Sequence, residues 1–194
     1  MTANSLFLLL GLAAAAAAYF WYASIIGRRN KVQEALSSVD VHLNQRHDLI
    51  PNIVALAGRY MEHERALLTE VTRLREEARQ TTPGTAADAT KRFAIEGELE
   101  RRVGQLMVSM ENYPALKADG PIMDAQRTWT EAEAQITAAR RFYNAAVNQL
   151  NTAIQIFPGS LIAAVAGVAP MPFFQAPAEA RVAPTVDGIL GRQP

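Results

Sequence analysis

The side chains of this chain that could do chemistry are three histidines, many carboxylates, and two sets of polar residues lying against apolar ones. A helical metal pair needs ligands three or four residues apart, so that both share one face. His42 and His47 are five apart, and His63 is sixteen further on. No second His completes a His-Glu-x-x-His pattern. His63 reads as a solvated residue between Glu62 and Glu64. The carboxylates sit among basic residues at helical spacing: Glu70 with Arg73, and Glu98 with Arg101 or Arg102. Such surface pairs are worth little energetically. Gly84 and Gly97 are isolated, so there is no phosphate loop and no nucleophile elbow. Cysteine is absent, which excludes disulfides and thiolate chemistry. The sequence therefore predicts no catalytic residue, no cofactor and no metal. Net charge is zero, so nucleic acid is not expected as a partner.

The two polar sets are more specific. One is Asp40, Asn44, Arg46, Asp48 and Asn52. The other is Asn144, Asn148 and Asn151, whose spacings of four and three place them on one helical face beside Tyr143, Val147 and Leu150. Polar groups beside a core must find partners. They predict a network that sets helix register, as a buried Asn does in coiled coils. The competing reading is a groove for a ligand or peptide.

These residues need helices to carry them. Val32, Leu36, Val39 and Leu43 recur in a three-four rhythm, continued by Ile50, Ile53, Ala57, Tyr60, Leu67, Val71 and Leu74. The rhythm predicts one helix from about Arg28 to Arg79, kinked at Pro51. Thr81-Thr82-Pro83-Gly84 predicts a turn, and Asp88 a cap for a second helix. That helix carries Leu99, Val103, Leu106 and Met110 and ends at Tyr113-Pro114. After Asp119-Gly120-Pro121, a third runs from Ile122 through Trp129, Ile136, Tyr143 and Leu150 to Phe157-Pro158-Gly159. A short fourth helix is expected over 160–168. No alternating strand pattern occurs. The fold class is all-α: an antiparallel bundle of three long helices, with a short fourth, following an N-terminal transmembrane helix.

That first helix occupies the opening of the chain. The first 27 residues carry no charged side chain, and Arg28, Arg29 and Lys31 follow at once. Leu6 to Ile26 is apolar almost throughout, with Leu6, Leu9, Leu12, Phe20, Trp21, Ile25 and Ile26 as the anchoring side chains. Its 21 residues span about 30 Å, the thickness of a hydrocarbon core. A cleaved signal peptide is the rival reading. The run is long for one, and no basic residue precedes it. Tyr19, Trp21 and Tyr22 suit the headgroup zone, and the basic cluster predicts that the bulk of the chain is cytoplasmic, with a periplasmic placement as the alternative. The organisation is then an anchor over 1–27, a bundle over 28–157, an apolar segment over 158–174 and an irregular tail over 175–194.

From Phe142 to Ala178 there is no Asp, Glu, Lys or Arg, a stretch of 37 residues. Exposed helix faces normally carry charge. Either a small fourth helix covers the bundle here, or the segment contacts another subunit or the membrane. The second reading assigns Leu161, Ile162, Val165, Val168, Phe173 and Phe174 to an oligomer interface.

Four separated segments resemble one family in order and spacing: Val39 to Asn52 (VDVHLNQRHDLIPN), Glu111 to Ala118 (ENYPALKA), Arg140 to Val147 (RRFYNAAV), and Asn151-Thr152-Ala153-Ile154 with Phe157-Pro158. The resemblance is to the LemA family and covers about Arg28 to Phe174. It implies an N-terminal membrane helix followed by a helical bundle, with no established enzymatic activity. Some relatives are linked to membrane remodelling in magnetosome formation, others to membrane proteases or envelope stress. The chain departs from the pattern at Leu150, where Tyr is common, and at Pro121-Ile122, where an aromatic is common. The combined expectation is a non-enzymatic scaffold that self-associates at the inner membrane. Its partners would be membrane lipid, further copies of the chain and a membrane protein. The rival is an adaptor for a membrane protease or stress regulator.

Overall fold

The structure is a computed structural model that describes residues 3–81, 86–117 and 120–174. Every regular element among them is helical: α1 (Ala3–Ala57), a 3-10 turn (Glu62–Glu64), α2 (Arg65–Gln80), α3 (Ala86–Met110), the single turn α4 (Pro114–Lys117), α5 (Gly120–Gln155) and α6 (Gly159–Ala166). The expected tail over 175–194, and most of the turn at 82–84, lie outside the described residues.

α1 is one helix of 55 residues, about 80 Å long at 1.5 Å per residue. It passes through Gly27 and Pro51 without interruption. Residues 4–24 are exposed along their whole length, and burial begins at Ile25. That exposed part is long and apolar enough to cross a membrane. Ile25 is instead fully buried in the bundle and Ile26 packs against its core, so these two belong to the bundle's first turn.

The helix expected from Arg28 to Arg79 is divided. α1 ends at Ala57, the chain turns through Gly58-Arg59-Tyr60, and α2 runs back. Met61 is the buried corner residue, whereas Tyr60, placed in the stripe by its spacing, is exposed. The reason is packing. A straight continuation would leave Leu68, Val71 and Leu74 in water. Folding back gathers them with Ile50, Ile53 and Ala57 into one core. Asp88 lies inside the first turn of α3, which starts at Ala86, so it is not the cap. Its charge there still suits the positive end of the helix dipole.

α1 and α5 are antiparallel. Arg28 lies beside Gln149, Arg46 beside Glu133, and Ile53 beside Ile122. α3 runs in the direction of α1, with Arg92 at Asp40 and Glu96 at Arg46. Two apolar cores result. The proximal one, next to the exposed N-terminal segment, joins Val32–Leu43 of α1, Ala89 and Phe93 of α3, Ile136–Ile154 of α5, and residues 163–174. The distal one joins Ile50–Met61, α2, Ile95–Met110, Leu116, Ile122 and Trp129.

The corner between α5 and α6 is tight. A side-chain carbon at Gly159 would lie 2.0 Å from the backbone oxygen of Ala153, well inside contact distance. α6 ends at Gly167, whose φ of +65° is left-handed and favours glycine. Gly159→Ala is expected to lower stability by about 1–3 kcal/mol, the usual cost of overpacking. Gly27→Ala, with nothing within 4 Å of the added carbon, is expected to leave it unchanged or raise it. Thermal melts of the two variants in detergent, followed by helical circular dichroism, check the contrast.

Candidate functional site

Between the two cores lies a layer of charge. On α1 the apolar stripe breaks between Leu43 and Ile50, and Arg46 and His47 fill the gap. On α3, Glu96 falls between Phe93 and Leu99. On α5, Glu133 falls between Trp129 and Ile136. Each is near one turn from an apolar neighbour on either side, so helical spacing turns it inward.

Arg46 and Glu96 have no exposed surface and pair directly. Arg46 also donates from Nη1 to Glu133 Oε1 at 3.0 Å and from Nη2 to the Glu96 backbone oxygen at 3.2 Å. Its guanidinium carbon stands 6.0 Å from the centre of the Trp129 ring. His47 Nε2 lies 3.1 Å from Glu96 Oε1. Arg92 reaches Asp40 Oδ1 at 3.0 Å and approaches Glu96 at 4.0 Å. Arg75 of α2 donates to the His47 carbonyl at 2.6 Å, which ties α2 to the same layer.

The electrostatics follow from the enclosure. Burial alone would raise the Glu96 carboxyl, but the His47 hydrogen bond and the Arg46 charge outweigh it and hold it below the ordinary 4.5. Burial likewise works against the charge on Arg46, and Glu96 with Glu133 more than restores it. Asp40 is raised above 3.8, because burial there outweighs the opposing pull of Arg92. Glu96 is enclosed by two guanidiniums and an imidazole, with both of its side-chain hydrogen bonds, from Arg46 and His47, falling on Oε2. Its chemistry here is to hold three helices in register.

The second polar set does something different from what its spacing predicts. Asn144 and Asn151 do not bridge helices. They clamp an extended strap, residues 168–174. Asn144 donates from Nδ2 to the Phe174 carbonyl and accepts the Phe174 N–H at Oδ1, both at 2.9 Å. Asn151 treats Met171 the same way, at 2.9 and 3.0 Å. Tyr143 donates its hydroxyl to the Pro172 carbonyl at 2.9 Å, and burial pushes its phenol up to about 12. The match is geometric. Seven residues of helix rise about 10 Å, and three residues of extended chain cover about the same distance. Pro170 and Pro172 lack an N–H and cannot pair as strands do, so side-chain amides supply the partners.

The strap closes the proximal core. Phe174 stacks on Phe93 at 4.1 Å between centroids, and the Arg140 guanidinium carbon lies 4.1 Å from the centre of the Phe174 ring. Arg140 is held in turn by Glu100 at 2.8 Å. Val168 and Phe174 are buried and Ile162 packs on the core, so these three are unavailable to the expected oligomer interface. An apolar core open on one side needed them first. Leu161, Val165 and Phe173 are exposed.

Of the remaining expected network residues, Asp48 is exposed and pairs with Arg79 at 3.4 Å. Asn52 and Asn148 are exposed and lie outside both arrangements. Among the described residues, no group of three or more His, Asp or Glu could hold a metal ion. The residues that spacing overlooked are Glu96, Arg92, His47 and Glu133. Continuing the α3 stripe backward from Leu99 to Phe93 passes through Glu96, and that was the available signal.

The charge layer, the asparagine clamp and the Phe157-Pro158 corner fall within residues 35–187, the span over which the chain matches the LemA family model. The chain belongs to the LemA family. No curated protein matches it. In this LemA-family chain, the segment Val39–Asn52 supplies Asp40, Arg46 and His47 to the charge layer, and Arg140–Val147 supplies Tyr143 and Asn144 to the clamp.

Two outcomes are expected. Glu96→Leu leaves Arg46 and Arg92 buried beside a lost counter-charge and should cost about 3–5 kcal/mol. Because the folded Glu96 titrates below its unfolded value, its contribution is complete above pH 4.5 and is lost as pH falls through the folded value. The melting temperature of wild type should drop over that acid range, and Glu96→Leu should show a shallower drop. Asn144→Leu should cost about 1–3 kcal/mol by leaving the Phe174 backbone unpaired. It should also speed amide exchange at Phe174, while Asn148→Leu leaves both unchanged.

Proposed function

We propose that this chain is a non-enzymatic helical scaffold anchored in the bacterial inner membrane, where copies associate and organise or remodel the bilayer. The observation that carries the reading is the continuity of α1. The same 55-residue helix supplies both the exposed apolar segment and the longest strut of the bundle. An apolar helix of this length left bare would be intolerable in water and is suited to a bilayer. The absence of a break between anchor and bundle favours a mechanical role over a tethered domain that diffuses on a linker.

Support for a non-enzymatic role comes from the charge layer. Its titratable groups are ion-paired with one another in the bundle interior. A cleft of about 500 Å³ at the distal end is lined by Met107, Met110, Leu116, Ile122 and Met123, with Glu111 as its one ionisable group. Methionine-lined surfaces are adaptable. This cleft favours the second reading, an adaptor that docks a membrane protease or stress regulator through its distal end. For sidedness, Arg29 and Lys31 are exposed and Arg28 donates to the Gln149 carbonyl at 3.4 Å, just past the apolar segment. Positive charge in this place supports a cytoplasmic bundle.

The deciding measurement is mass photometry of the full chain in nanodiscs, paired with a C-terminal reporter fusion in cells. A scaffold is expected to form large assemblies alone, with a fluorescent cytoplasmic reporter. A single copy per disc sinks the scaffold in favour of the adaptor. An active alkaline phosphatase fusion in its place puts the bundle in the periplasm.

A further inference from the structure

We propose that the corner between α5 and α6 is itself seated in the bilayer beside the anchor, with Ile156, Phe157, Leu161 and Val165 entering the apolar edge of one leaflet. The proposal rests on the anchoring reading above and adds a second membrane contact to it. Its occupant is lipid.

Height along α1 carries the argument. Arg28 lies level with Gln149, so the headgroup zone that suits Arg28 meets α5 there. α5 continues for six more residues, about 9 Å, in the direction of the anchor. Gly159, at the start of α6, is placed so that a side-chain carbon there would stand 3.7 Å from the Trp21 ring. Trp21 is seven residues up α1 from Arg28, about 10 Å. Two separate measures therefore bring the corner to the same level, within the apolar span and at its aromatic edge. Interfacial helices bury about 5–10 Å into this boundary.

The chemistry of the corner agrees with its height. α6 packs on α1 and α5 through Ala163 and Ile162. Four large apolar side chains are left out at this corner: Val165 is 86% exposed, Phe157 77%, Leu161 63% and Ile156 55%, with Ser160 and Ala164 the small exposed residues of α6 beside them. Leu161 and Val165 are four apart and share a face. No charged residue lies anywhere from Phe142 through the end of the strap. A protein interface is ordinarily rimmed by polar and charged groups, and a corner without charge whose large exposed side chains are apolar is better matched to hydrocarbon.

The absence of cysteine makes the test clean. The full chain, carrying one cysteine at Val165, Phe157, Leu9 or Val41, is labelled with an environment-sensitive fluorophore. It is then reconstituted in vesicles of mixed phosphatidylcholine and phosphatidylglycerol. Val41 is an exposed residue of the bundle below Arg28, and Leu9 is an exposed residue of the apolar segment, towards its N-terminal end. The labels at Val165 and Phe157 should resist iodide several-fold better than Val41, and nitroxide-bearing lipid chains should quench them. Leu9 should do the same. Val165 and Phe157 labels as open to iodide as Val41, with Leu9 shielded, overturn the proposal and leave the anchor standing. An iodide-accessible Leu9 overturns the anchor and the proposal with it. Val165 shielded from both iodide and lipid quencher overturns the proposal in favour of contact between copies.

Discussion

Glu96 and Arg46 must stay together, and most of the bundle is arranged so that they can. A carboxylate or guanidinium withdrawn from water is tolerable only with a counter-charge and satisfied hydrogen bonds. Both residues have no exposed surface, and they belong to different helices. Sliding α3 against α1 by one turn would take Glu96 away from Arg46 and His47 and leave Arg46 with Glu133 alone. Glu133 extends the same demand to α5, and the Arg75 bond to the His47 carbonyl extends it to α2. Apolar side chains alone would accept several registers of four long helices. A single charged layer accepts one.

The layer also explains why the bundle has two cores of different construction. α2 stops near Asp48, where Arg79 meets it. Beyond that level the fourth position beside α1, α3 and α5 has no long helix to fill it. α6 and the strap take the place, held by Asn144, Asn151 and Tyr143 and sealed by Phe174 against Phe93. A charge-free stretch is what such a plug requires on its inner side. Its outer side, at Leu161 and Val165, is what remains to be explained by something other than the core.

Much of this was legible in the residues. The helix ends at Tyr113-Pro114 and Phe157-Pro158-Gly159 follow from proline and glycine chemistry, and the apolar stripes of α1, α3 and α5 from their rhythm. The reversal at Gly58 was not legible, because the rhythm runs on through it. What ends α1 is the gain from packing Leu68, Val71 and Leu74 on the same core, a tertiary effect that no local spacing encodes. Glu96 was hidden by its company. It sits in a segment also carrying Glu98, Glu100, Arg101 and Arg102, where one inward carboxylate looks like its solvated neighbours. Asn144, Asn148 and Asn151 share one face. Which of them hold the strap depends on the step length of an extended chain that forms only when the residues after α6 fold back along α5.

α1 is a rigid rod, and a rod imposes phase. Each residue of an α-helix advances about 1.5 Å and turns about 100°. Adding one residue near Gly27 would therefore rotate the whole bundle by about 100° relative to the exposed apolar segment, and adding two by about 200°. A tethered domain would absorb such changes in its linker. Here the number of residues joining the exposed apolar segment to Ile25 sets the compass bearing of everything below it, including the direction in which the α6 edge points around that segment. Azimuth becomes a heritable property of residue count, and insertions would be tolerated in this stretch chiefly in sets close to whole turns.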